Sequence, residues 1–365
     1  MTIGVAILGS TGSIGQSTLR VLERHRDRFH VVALTAWDSE TLLEEQARAT
    51  GAKFARVVRR TGPDALVEAA THPDAKIVVN AVVGAAGLQA TLAALRAGKR
   101  VALANKETLV MAGRVVMCAA REGGGDIVPV DSEHSAVLQC VTGSRDRALA
   151  RLVLTASGGP FRDWPAVRVR EATVDEALNH PTWRMGRKIS VDRATLANKA
   201  LEVIEAHHLF GLGYDDVGVV VHPQSIIHAF VEFVDGSVLA QLGFPNMELP
   251  ILYALTHPER LPDPGVPRFD PVAAGPLTFQ PVRHADFPML DLGVSAGRAG
   301  GTAPAVFNAA NEVAVEAFLG GRIRFGRIAE VVEHTLEKHQ VKPADSLDEV
   351  IEADAAARRE ASQQC

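Results

Sequence analysis

The chain opens with a glycine-rich turn placed between a short apolar run and a helical pattern. Ile3–Leu8 predicts a buried strand, the letters GSTGSIG from Gly9 to Gly15 predict the turn, and Ser13–His25 predicts a helix. Backbone N–H groups in such a turn can cradle a pyrophosphate, and the helix N-terminus adds favourable partial charge. The spacing is G-x-x-G-x-x-G rather than G-x-G-x-x-G, so a tight turn that binds nothing is the alternative. The turn predicts a dinucleotide site.

The rest of the first half alternates short apolar runs with helical patterns. Further strands are predicted at 30–36, 54–58, 77–79, 100–103 and 126–130, with helices between them, for example at 88–96 and 107–121. Strands that are apolar along their whole length and separated by helices are typical of a parallel sheet covered on both faces. The pattern therefore predicts an α/β fold that begins with a Rossmann-like, doubly wound parallel sheet.

The pattern changes in the middle of the chain. Strands are expected at 152–156, 217–221, 226–234 and 237–241, with a helix over 195–210. Asp235-Gly236, between the last two of these strands, indicates a hairpin. Residues 160–190 contain several prolines and little periodicity, so a long functional loop is expected there. This part is predicted to be a central α+β domain.

The last part of the chain is helical in pattern and follows a proline-rich stretch. At 365 residues the chain exceeds the size at which one hydrophobic core stops growing, so several domains are expected. Helices are predicted at 303–319, 327–339 and 347–362. The predicted division is a dinucleotide-binding domain over 1–145, a central α+β domain over 146–255, a linker over 256–284 and a C-terminal helical domain over 285–365.

Charge and cysteine usage exclude several classes of partner. The net charge is −5 and no long basic run appears, so we expect no nucleic-acid partner. No apolar stretch is long enough to span a bilayer, so no membrane partner is expected either. The cysteines Cys118, Cys140 and Cys365 match no metal or disulfide spacing. These features favour an enzyme of the cytoplasm.

The end of the second strand bears on which cofactor is used. In dinucleotide-binding folds, an acid about 20 residues after the glycine turn bonds the ribose 2′-OH. Asp38, in Trp37-Asp38-Ser39, stands at that position and favours NADH when the residues are taken alone. The alternative is that Asp38 is only a helix N-cap.

Two acids follow the strand predicted at 126–130. In open α/β sheets, ligands bind beyond the carboxyl ends of the strands, and Asp131 and Glu133 stand there. Asn198 and Glu202, four residues apart on a predicted helix, share one face. Hard cations such as Mg²⁺ and Mn²⁺ prefer oxygen ligands. The alternative for the first pair is a helix N-cap followed by a first-turn acid.

Several donors precede the helix that carries Glu202. They could form a phosphate pocket, or they could be ordinary solvated surface. The donors are His180, Arg187, Lys188 and Arg193. Ser157 lacks a G-x-S-x-G context, so a serine hydrolase is excluded.

Eight runs, in order along nearly the whole chain, carry a family resemblance. The runs are GSTGSIG, ANKET, PVDSEH, SGGPF, MGRKISVD, NKALE, HPQSIIH and NAANEVAVEAF. Together they resemble the 1-deoxy-D-xylulose 5-phosphate reductoisomerase family. The resemblance implies a homodimeric enzyme that uses NADPH and a divalent cation (Mg²⁺, Mn²⁺ or Co²⁺). Its small phosphorylated substrate, 1-deoxy-D-xylulose 5-phosphate, is rearranged and reduced to 2-C-methyl-D-erythritol 4-phosphate, an isoprenoid precursor.

The resemblance also implies residue roles. Asp131, Glu133 and Glu202 are implied as metal ligands and, with Lys106, as catalytic residues. Implied substrate contacts are Lys106, Ser132, Glu133, Ser157, His180, Asn198, Lys199 and Glu202. Implied cofactor contacts are Thr11, Gly12, Ser13, Ile14, Asn105, Glu107 and Gly186. The central α+β domain is implied to be a central α+β catalytic domain with a lid at about 180–190. Trp183 and Met185 are in that lid, which would cover the substrate and exclude water.

The chain departs from the family pattern at two places. Arg193 replaces a serine that helps to bind phosphate, and an arginine can also bind phosphate strongly. Trp37-Asp38-Ser39 replaces a glycine, a basic residue and an asparagine, and a basic residue would attract the 2′-phosphate of NADPH. NADPH remains the predicted cofactor, with Ser39 or a nearby arginine compensating. The alternatives are another metal-assisted nicotinamide-dependent oxidoreductase and a non-catalytic Rossmann-type redox sensor.

Overall fold

The computed structural model describes residues 2–144, 148–179 and 186–365. The chain divides into two compact units, each assembled from separate segments. The first unit comprises Met1–Thr108, Val116–Thr142 and Asn246–Arg268, and the second comprises Leu109–Val115, Gly143–Pro245 and Phe269–Cys365.

A six-stranded sheet forms the centre of the first unit. Its strands are β1 (Ile3–Leu8), β2 (Phe29–Ala36), β3 (Phe54–Val57), β4 (Ala75–Asn80), β5 (Arg100–Leu103) and β6 (Asp126–Pro129). All neighbouring pairs are parallel, in the order β3-β2-β1-β4-β5-β6. The strand order reverses between β1 and β4, and doubly wound sheets bind ligands at that point. The predicted Rossmann-like sheet is confirmed.

Helices connect these strands, as the alternating pattern predicted. They are α1 (Ser13–Arg24), α2 (Glu40–Thr50), α3 (Val58–Thr61), α4 (Asp64–Ala70), α5 (Leu88–Arg96), α6 (Lys106–Gly123) and α7 (Ser132–Val141). A short 3-10 helix, Gly84–Gly87, precedes α5. Helix α6 is broken at Ala112, whose φ of −136° and ψ of 30° are not helical. The helix therefore changes course after its first two turns.

The second unit contains a four-stranded mixed sheet. Its strands are β7 (Leu149–Ala156), β8 (Val217–Val221), β9 (Ile227–Phe233) and β10 (Val238–Leu242), in the order β10-β9-β7-β8. β7 and β8 are parallel, whereas β9 is antiparallel to both β7 and β10. The predicted hairpin at Asp235-Gly236 joins β9 and β10, with Gly236 in the left-handed region at a φ of +84°.

The middle of the second unit is more helical than the sequence predicted. Among the described residues, four α-helices lie between β7 and β8: α8 (Ala166–Arg170), α9 (Val174–Leu178), α10 (Arg187–Thr195) and α11 (Ala197–Phe210). The expectation of a long loop over 160–190 is therefore wrong for α8 and α9. Thr173 and Glu176 form a capping box that starts α9, a short-range signal that the weak periodicity concealed. Of the expected lid, 180–185 lie outside the described residues, and α10 begins at Arg187.

The remaining helices complete both units. They are α12 (Glu248–Thr256), α13 (Pro271–Ala274), α14 (Met289–Ala299), α15 (Ala303–Leu319), α16 (Arg327–Lys338) and α17 (Leu347–Ser362). α12 belongs to the first unit, and α13 to α17 belong to the second. In the part of the chain that the structure describes, no helix is both long and apolar enough to cross a membrane. The predicted domain boundaries after residues 145, 255 and 284 stay a prediction.

Candidate active site

The glycine turn between β1 and α1 is fixed by two of its three glycines. Gly9 has a φ of +82°, where other residues are strained. A Cβ added at Gly15 would lie 2.4 Å from the Gly9 carbonyl oxygen, so only glycine allows α1 to start so close to the turn. A Cβ at Gly12 would meet only that same oxygen, at 3.4 Å, which is ordinary contact. The fold therefore needs Gly9 and Gly15 but tolerates a side chain at Gly12.

The start of α1 suits an anionic ligand. Gly12 occupies the N-cap position, and no side chain caps this helix. The first-turn amides at Ser13 and Ile14 therefore lack the side-chain acceptor that many helices supply. The Thr11 carbonyl oxygen accepts a hydrogen bond from Gln16 Nε2 at 2.7 Å, which holds the turn against the helix. This arrangement fits the pyrophosphate of a dinucleotide.

Asn105 joins the loops that follow β4 and β5. Its Oδ1 accepts from the Thr108 amide at 3.0 Å and so caps α6, while its Nδ2 donates to the Val82 and Gly84 carbonyl oxygens, both at 2.8 Å. Nδ2 also lies 3.0 Å from Glu107 Oε2, and both side chains are buried. Because the loop after β4 flanks the reversal point between β1 and β4, Asn105 shapes the edge of the predicted cofactor site.

The predicted acids and their neighbours lie together at the N-terminus of α7. Asp131 Oδ1 accepts from the amides of Glu133 at 3.2 Å and His134 at 3.4 Å, while its Oδ2 accepts from Lys106 Nζ. Ser132 Oγ donates to Glu133 Oε2. The interpretation of Asp131 as a helix N-cap is therefore correct. Capping does not compete with a role in ligand binding, because it uses only Oδ1, whereas Oδ2 accepts from Lys106.

In the second unit, three predicted site residues share one face of α11. Asn198 Nδ2 donates to Glu202 Oε1, and Lys199 Nζ pairs with Glu202 Oε2. All three side chains are buried, and Glu202 is fully buried. Leu196, with a φ of +65°, separates α10 from α11 and sets where α11 begins. The predicted spacing of Asn198 and Glu202 on one helical face is confirmed.

The remaining predicted site residues follow β7, lie at the start of α10 or fall outside the described residues. Ser157 follows β7, and its Oγ accepts from the Gly159 amide at 3.3 Å. Gly186 occupies the N-cap position of α10. Lys188 pairs with Asp192 at 2.9 Å, so one donor of the predicted phosphate pocket already has a buried acid as a partner. His180, Trp183 and Met185 lie outside the described residues.

Asp38 is not a helix cap. Helix α2 begins at Glu40 with Ser39 at its N-cap position and no side-chain cap. Asp38 is exposed, and its Oδ1 accepts only from Ser39 Oγ, at 3.3 Å, among the bonds of the described residues. Sequence reasoning missed a neighbour: the Arg59 amide donates to the Trp37 carbonyl oxygen at 2.9 Å. The two consecutive arginines after β3 were the available signal.

Comparisons with known proteins agree on one family. The family model described as 1-deoxy-D-xylulose 5-phosphate reductoisomerase matches residues 5–62 and 55–113. A model of that enzyme's C-terminal domain matches residues 127–210, and a model described as DXP reductoisomerase C-terminal domain matches residues 242–360. The matches therefore reach both units and extend from near the start to near the end of the chain.

Individual relatives match over nearly the full length. The chain is 53% identical to the 1-deoxy-D-xylulose 5-phosphate reductoisomerase of Ralstonia nicotianae, with 98% of this chain and 96% of that protein covered. It is 50% identical to that of a Synechococcus species, with the same coverage. The solved Zymomonas mobilis enzyme in complex with NADPH is 42% identical, with a TM-score of 0.92 over 100% of this chain and 99% of that one. The chain therefore belongs to the 1-deoxy-D-xylulose 5-phosphate reductoisomerase family.

Proposed function

We propose that this chain rearranges 1-deoxy-D-xylulose 5-phosphate and reduces the product with NADPH to 2-C-methyl-D-erythritol 4-phosphate, with the help of a divalent metal ion. The reaction supplies isoprenoid precursors. The observation that carries the proposal is family membership at 50% identity over 98% of the chain. A related solved structure contains NADPH, fosmidomycin and magnesium, at 39% identity and a TM-score of 0.90 over 99% of this chain and 98% of that one.

We assign the metal to the carboxylates of Asp131, Glu133 and Glu202. Carboxylate oxygens are the ligands that Mg²⁺ and Mn²⁺ prefer, and each of these acids has a neighbouring donor that orients it. Ser132 donates to Glu133, and Lys106 donates to Asp131. When bound, the metal polarises the carbonyl and hydroxyl oxygens of the substrate, and NADPH supplies the hydride. Co²⁺ fits the same oxygen donors.

Lys106 and Ser132 act on the substrate as well as on the acids. An ammonium group and a hydroxyl group can both donate to substrate oxygens on which charge develops. Lys106 is the first residue of α6, and its ammonium group pairs with Asp131. The main chain and the end of the side chain are therefore both held in place. We therefore expect Lys106 to hold the substrate for rearrangement.

The substrate phosphate is held by donors of the second unit. Ser157, Asn198 and Lys199 are the donors that we assign, with His180 as a further substrate contact. Arg193, which replaces the family serine, adds a guanidinium that can bind phosphate through two hydrogen bonds. Arg193→Ser is expected to raise the KM for the phosphorylated substrate, and an unchanged KM would show that Arg193 binds elsewhere.

The cofactor lies along the edge built by the glycine turn. The Thr11, Gly12, Ser13 and Ile14 segment binds the pyrophosphate, and the uncapped start of α1 supports this. Asn105 and Glu107 shape the neighbouring loops, and Gly186 contributes from the start of α10. The segment that contains Trp183 and Met185 excludes water from the reaction.

One assay tests the reaction. Purified protein with Mn²⁺ or Mg²⁺ is expected to consume NADPH when 1-deoxy-D-xylulose 5-phosphate is added, and a chelator should abolish the loss of absorbance. Product identity is checked by mass spectrometry. Protein that binds NADPH but shows no substrate- and metal-dependent turnover would refute the proposal and favour the redox-sensor alternative.

Variants test the metal ligands separately. Asp131→Asn, Glu133→Gln and Glu202→Gln each remove one negative oxygen with little change in shape. Each is expected to lower kcat by at least about 100-fold and to weaken Mn²⁺ binding measured by calorimetry. Glu333→Gln, an exposed position on α16, is the matched control and should change neither value. Normal Mn²⁺ affinity in any of the three variants would remove that residue from the ligand set.

We propose further that the enzyme is a homodimer of the cytoplasm. β10 is an edge strand with Val238, Leu239 and Leu242 exposed at 55%, 48% and 36%, a surface suited to a second copy. Light scattering should give twice the chain mass, and Leu239→Lys should lower it to the monomer mass. The free cysteines suit a reducing compartment, which cell fractionation would test.

A further inference from the structure

The end of β2 poses a problem for a chain that uses NADPH. Asp38 stands where the resemblance implies a basic residue, and a carboxylate there repels a 2′-phosphate. Ser39 does not offset this charge, because its hydroxyl donates to Asp38. If NADPH is bound, another residue at this edge of the sheet must supply positive charge.

The neighbouring strand brings an arginine to this place. β2 and β3 are parallel, and their last paired residues are Ala36 and Val57. The pairing continues one step beyond the strands, because the Arg59 amide donates to the Trp37 carbonyl oxygen at 2.9 Å. Arg59 therefore lies beside the loop that contains Asp38, at the carboxyl edge where doubly wound sheets bind their ligands.

Arg59 is the available cation among the three arginines of this segment. Arg60 forms an ion pair with Glu40 at the start of α2. Arg56 lies over the Phe54 ring, with its guanidinium carbon 4.8 Å from the centroid. Arg59 is exposed, and within the described ranges no carboxylate lies within 4 Å of its guanidinium nitrogens. Its charge is therefore not committed to another part of the described protein.

Trp37, whose carbonyl oxygen accepts from the Arg59 amide, carries an exposed aromatic ring. Trp37 is 62% exposed, although large aromatic side chains are usually buried. Its position, directly after β2, is where the adenosine end of a dinucleotide lies in such folds. An exposed aromatic ring and an exposed guanidinium on two residues whose main chains are hydrogen-bonded suit a base that carries a nearby phosphate.

We infer that Arg59 binds the 2′-phosphate of NADPH and that Trp37 stacks against the adenine, so that cofactor specificity comes from the end of β3 instead of the end of β2. The inference rests on the proposed use of NADPH. Arginine can form two parallel hydrogen bonds to a phosphate, which makes it a suitable replacement for the missing basic residue. Asp38 follows Trp37 directly in sequence, so its carboxylate weakens this attraction.

Binding measurements test the inference without turnover. Calorimetry with NADP⁺ and NAD⁺ is expected to show tighter binding of NADP⁺ to the wild-type chain. Arg59→Ala should weaken NADP⁺ binding about 10- to 100-fold, because a hydrogen-bonded charge pair is lost. NAD⁺ binding should change less than about two-fold, which is too little for a lost hydrogen bond. Arg48→Ala, an exposed position in the last turn of α2 at the opposite end of the helix, is the control and should change neither.

Two further variants test the effects of Trp37 and Asp38 on cofactor binding. Trp37→Ala should weaken both cofactors by a similar factor, about 5- to 100-fold, because the adenine is common to both. Asp38→Asn should strengthen NADP⁺ binding and leave NAD⁺ binding unchanged or weaker. Equal losses of NADP⁺ and NAD⁺ in Arg59→Ala, or no loss, would overturn the assignment of Arg59.

The outcomes also separate this inference from the proposed reaction. Wild-type protein that converts the substrate with NADPH while Arg59→Ala keeps full NADP⁺ affinity would overturn the inference and leave the reaction standing. Wild-type protein that binds NAD⁺ more tightly and consumes NADH with the substrate would overturn both the inference and the assignment of NADPH, and would leave only the conversion of the substrate standing. Selective loss of NADP⁺ binding in protein without turnover would support the inference and refute the proposed reaction.

Discussion

Gly12 and Gly15 lie in one turn but meet different requirements. Gly15 is needed for packing, since a Cβ there would lie 2.4 Å from the Gly9 carbonyl oxygen and 2.5 Å from Ser10 Cα. Gly12 has room for a Cβ within the protein, and its φ of −73° is open to any residue. The absence of a side chain at Gly12 therefore matters because it lets a ligand come close to the main chain.

We predict that the two alanine variants behave differently. Gly15→Ala should lower the free energy of unfolding by about 1–3 kcal/mol, because backbone must move to admit the methyl group. Gly12→Ala should keep wild-type stability and weaken NADP⁺ and NAD⁺ alike, because the pyrophosphate is common to both. Urea denaturation and calorimetry provide the two measurements. A destabilised Gly12→Ala with normal cofactor affinity would contradict this division.

Single residues also show how much of the site could be predicted from the sequence. The acids of α7 were predicted from their place after a strand, and the structure brings Lys106, Asp131, Ser132 and Glu133 together. Arg59 was not singled out, because its role depends on the main chain of a strand that lies more than 20 residues earlier in sequence. Local patterns identify acids at strand ends well, but they do not reveal which side chain of a neighbouring strand lies beside them.

At the scale of elements, the first sheet was predictable because each strand is apolar along its length. β1 and β5 have the predicted ends, and the helices α5, α15 and α17 do as well. The packing of the proline-rich stretch was not predictable. Asp263 lies in that stretch, yet it accepts from Arg24 Nε at 2.7 Å and lies 3.1 Å from His25 Nε2. Contacts between residues this far apart in sequence leave no local pattern.

The junction of α10 and α11 gives a prediction at this scale. Leu196 has a φ of +65° although it is not glycine, and it is buried. Its side chain contributes burial worth about 2–5 kcal/mol, more than the roughly 1–2 kcal/mol cost of the left-handed backbone. Both Leu196→Ala and Leu196→Gly should therefore be less stable than the wild type. Leu196→Gly should be the more stable of the two by about 1 kcal/mol, because only glycine relieves the strain.

Urea denaturation of the two variants measures this difference directly. Ala200→Gly, a buried position inside α11, is the matched control. There glycine should destabilise by about 1 kcal/mol relative to alanine, which is the usual order within a helix. The same order at position 196 would mean that the left-handed conformation carries no strain.

At the scale of the whole molecule, both units are built from segments that are distant in sequence. The short segment Leu109–Val115 of α6 belongs to the second unit, whereas the rest of α6 belongs to the first. In the second unit, His208 packs against this segment: a Cβ at Gly113 would lie 2.2 Å from His208 Cδ2. His207 lies beside it, with ring centroids 5.0 Å apart, and stacks on Tyr214 at 4.6 Å. A partly buried histidine therefore helps to hold a segment that no local pattern assigns to this unit.

This histidine should make stability depend on pH. Burial lowers the pKa of His208 to about 4, and the nearby His207 contributes further in the same direction. The unfolded chain takes up this proton near pH 6.5 and the folded chain only near pH 4, so the free energy of unfolding falls as the pH drops between these values. This decrease in the free energy of unfolding is at most about 3 kcal/mol, and the full stability is present above about pH 6.5. His208→Gln cannot take up the proton, so it should lose less stability than the wild type over this range.

Urea denaturation at pH 7, 6, 5 and 4.5 tests the expectation. At pH 7 the variant should be the less stable protein, because the packing of the imidazole against Gly113 is disturbed. The gap should narrow or reverse as the pH falls, by up to about 2–3 kcal/mol. His30→Gln, an exposed position on β2, is the control and should keep the wild-type slope. Parallel curves for the wild type and His208→Gln would show that another group is responsible for the acid sensitivity of the fold.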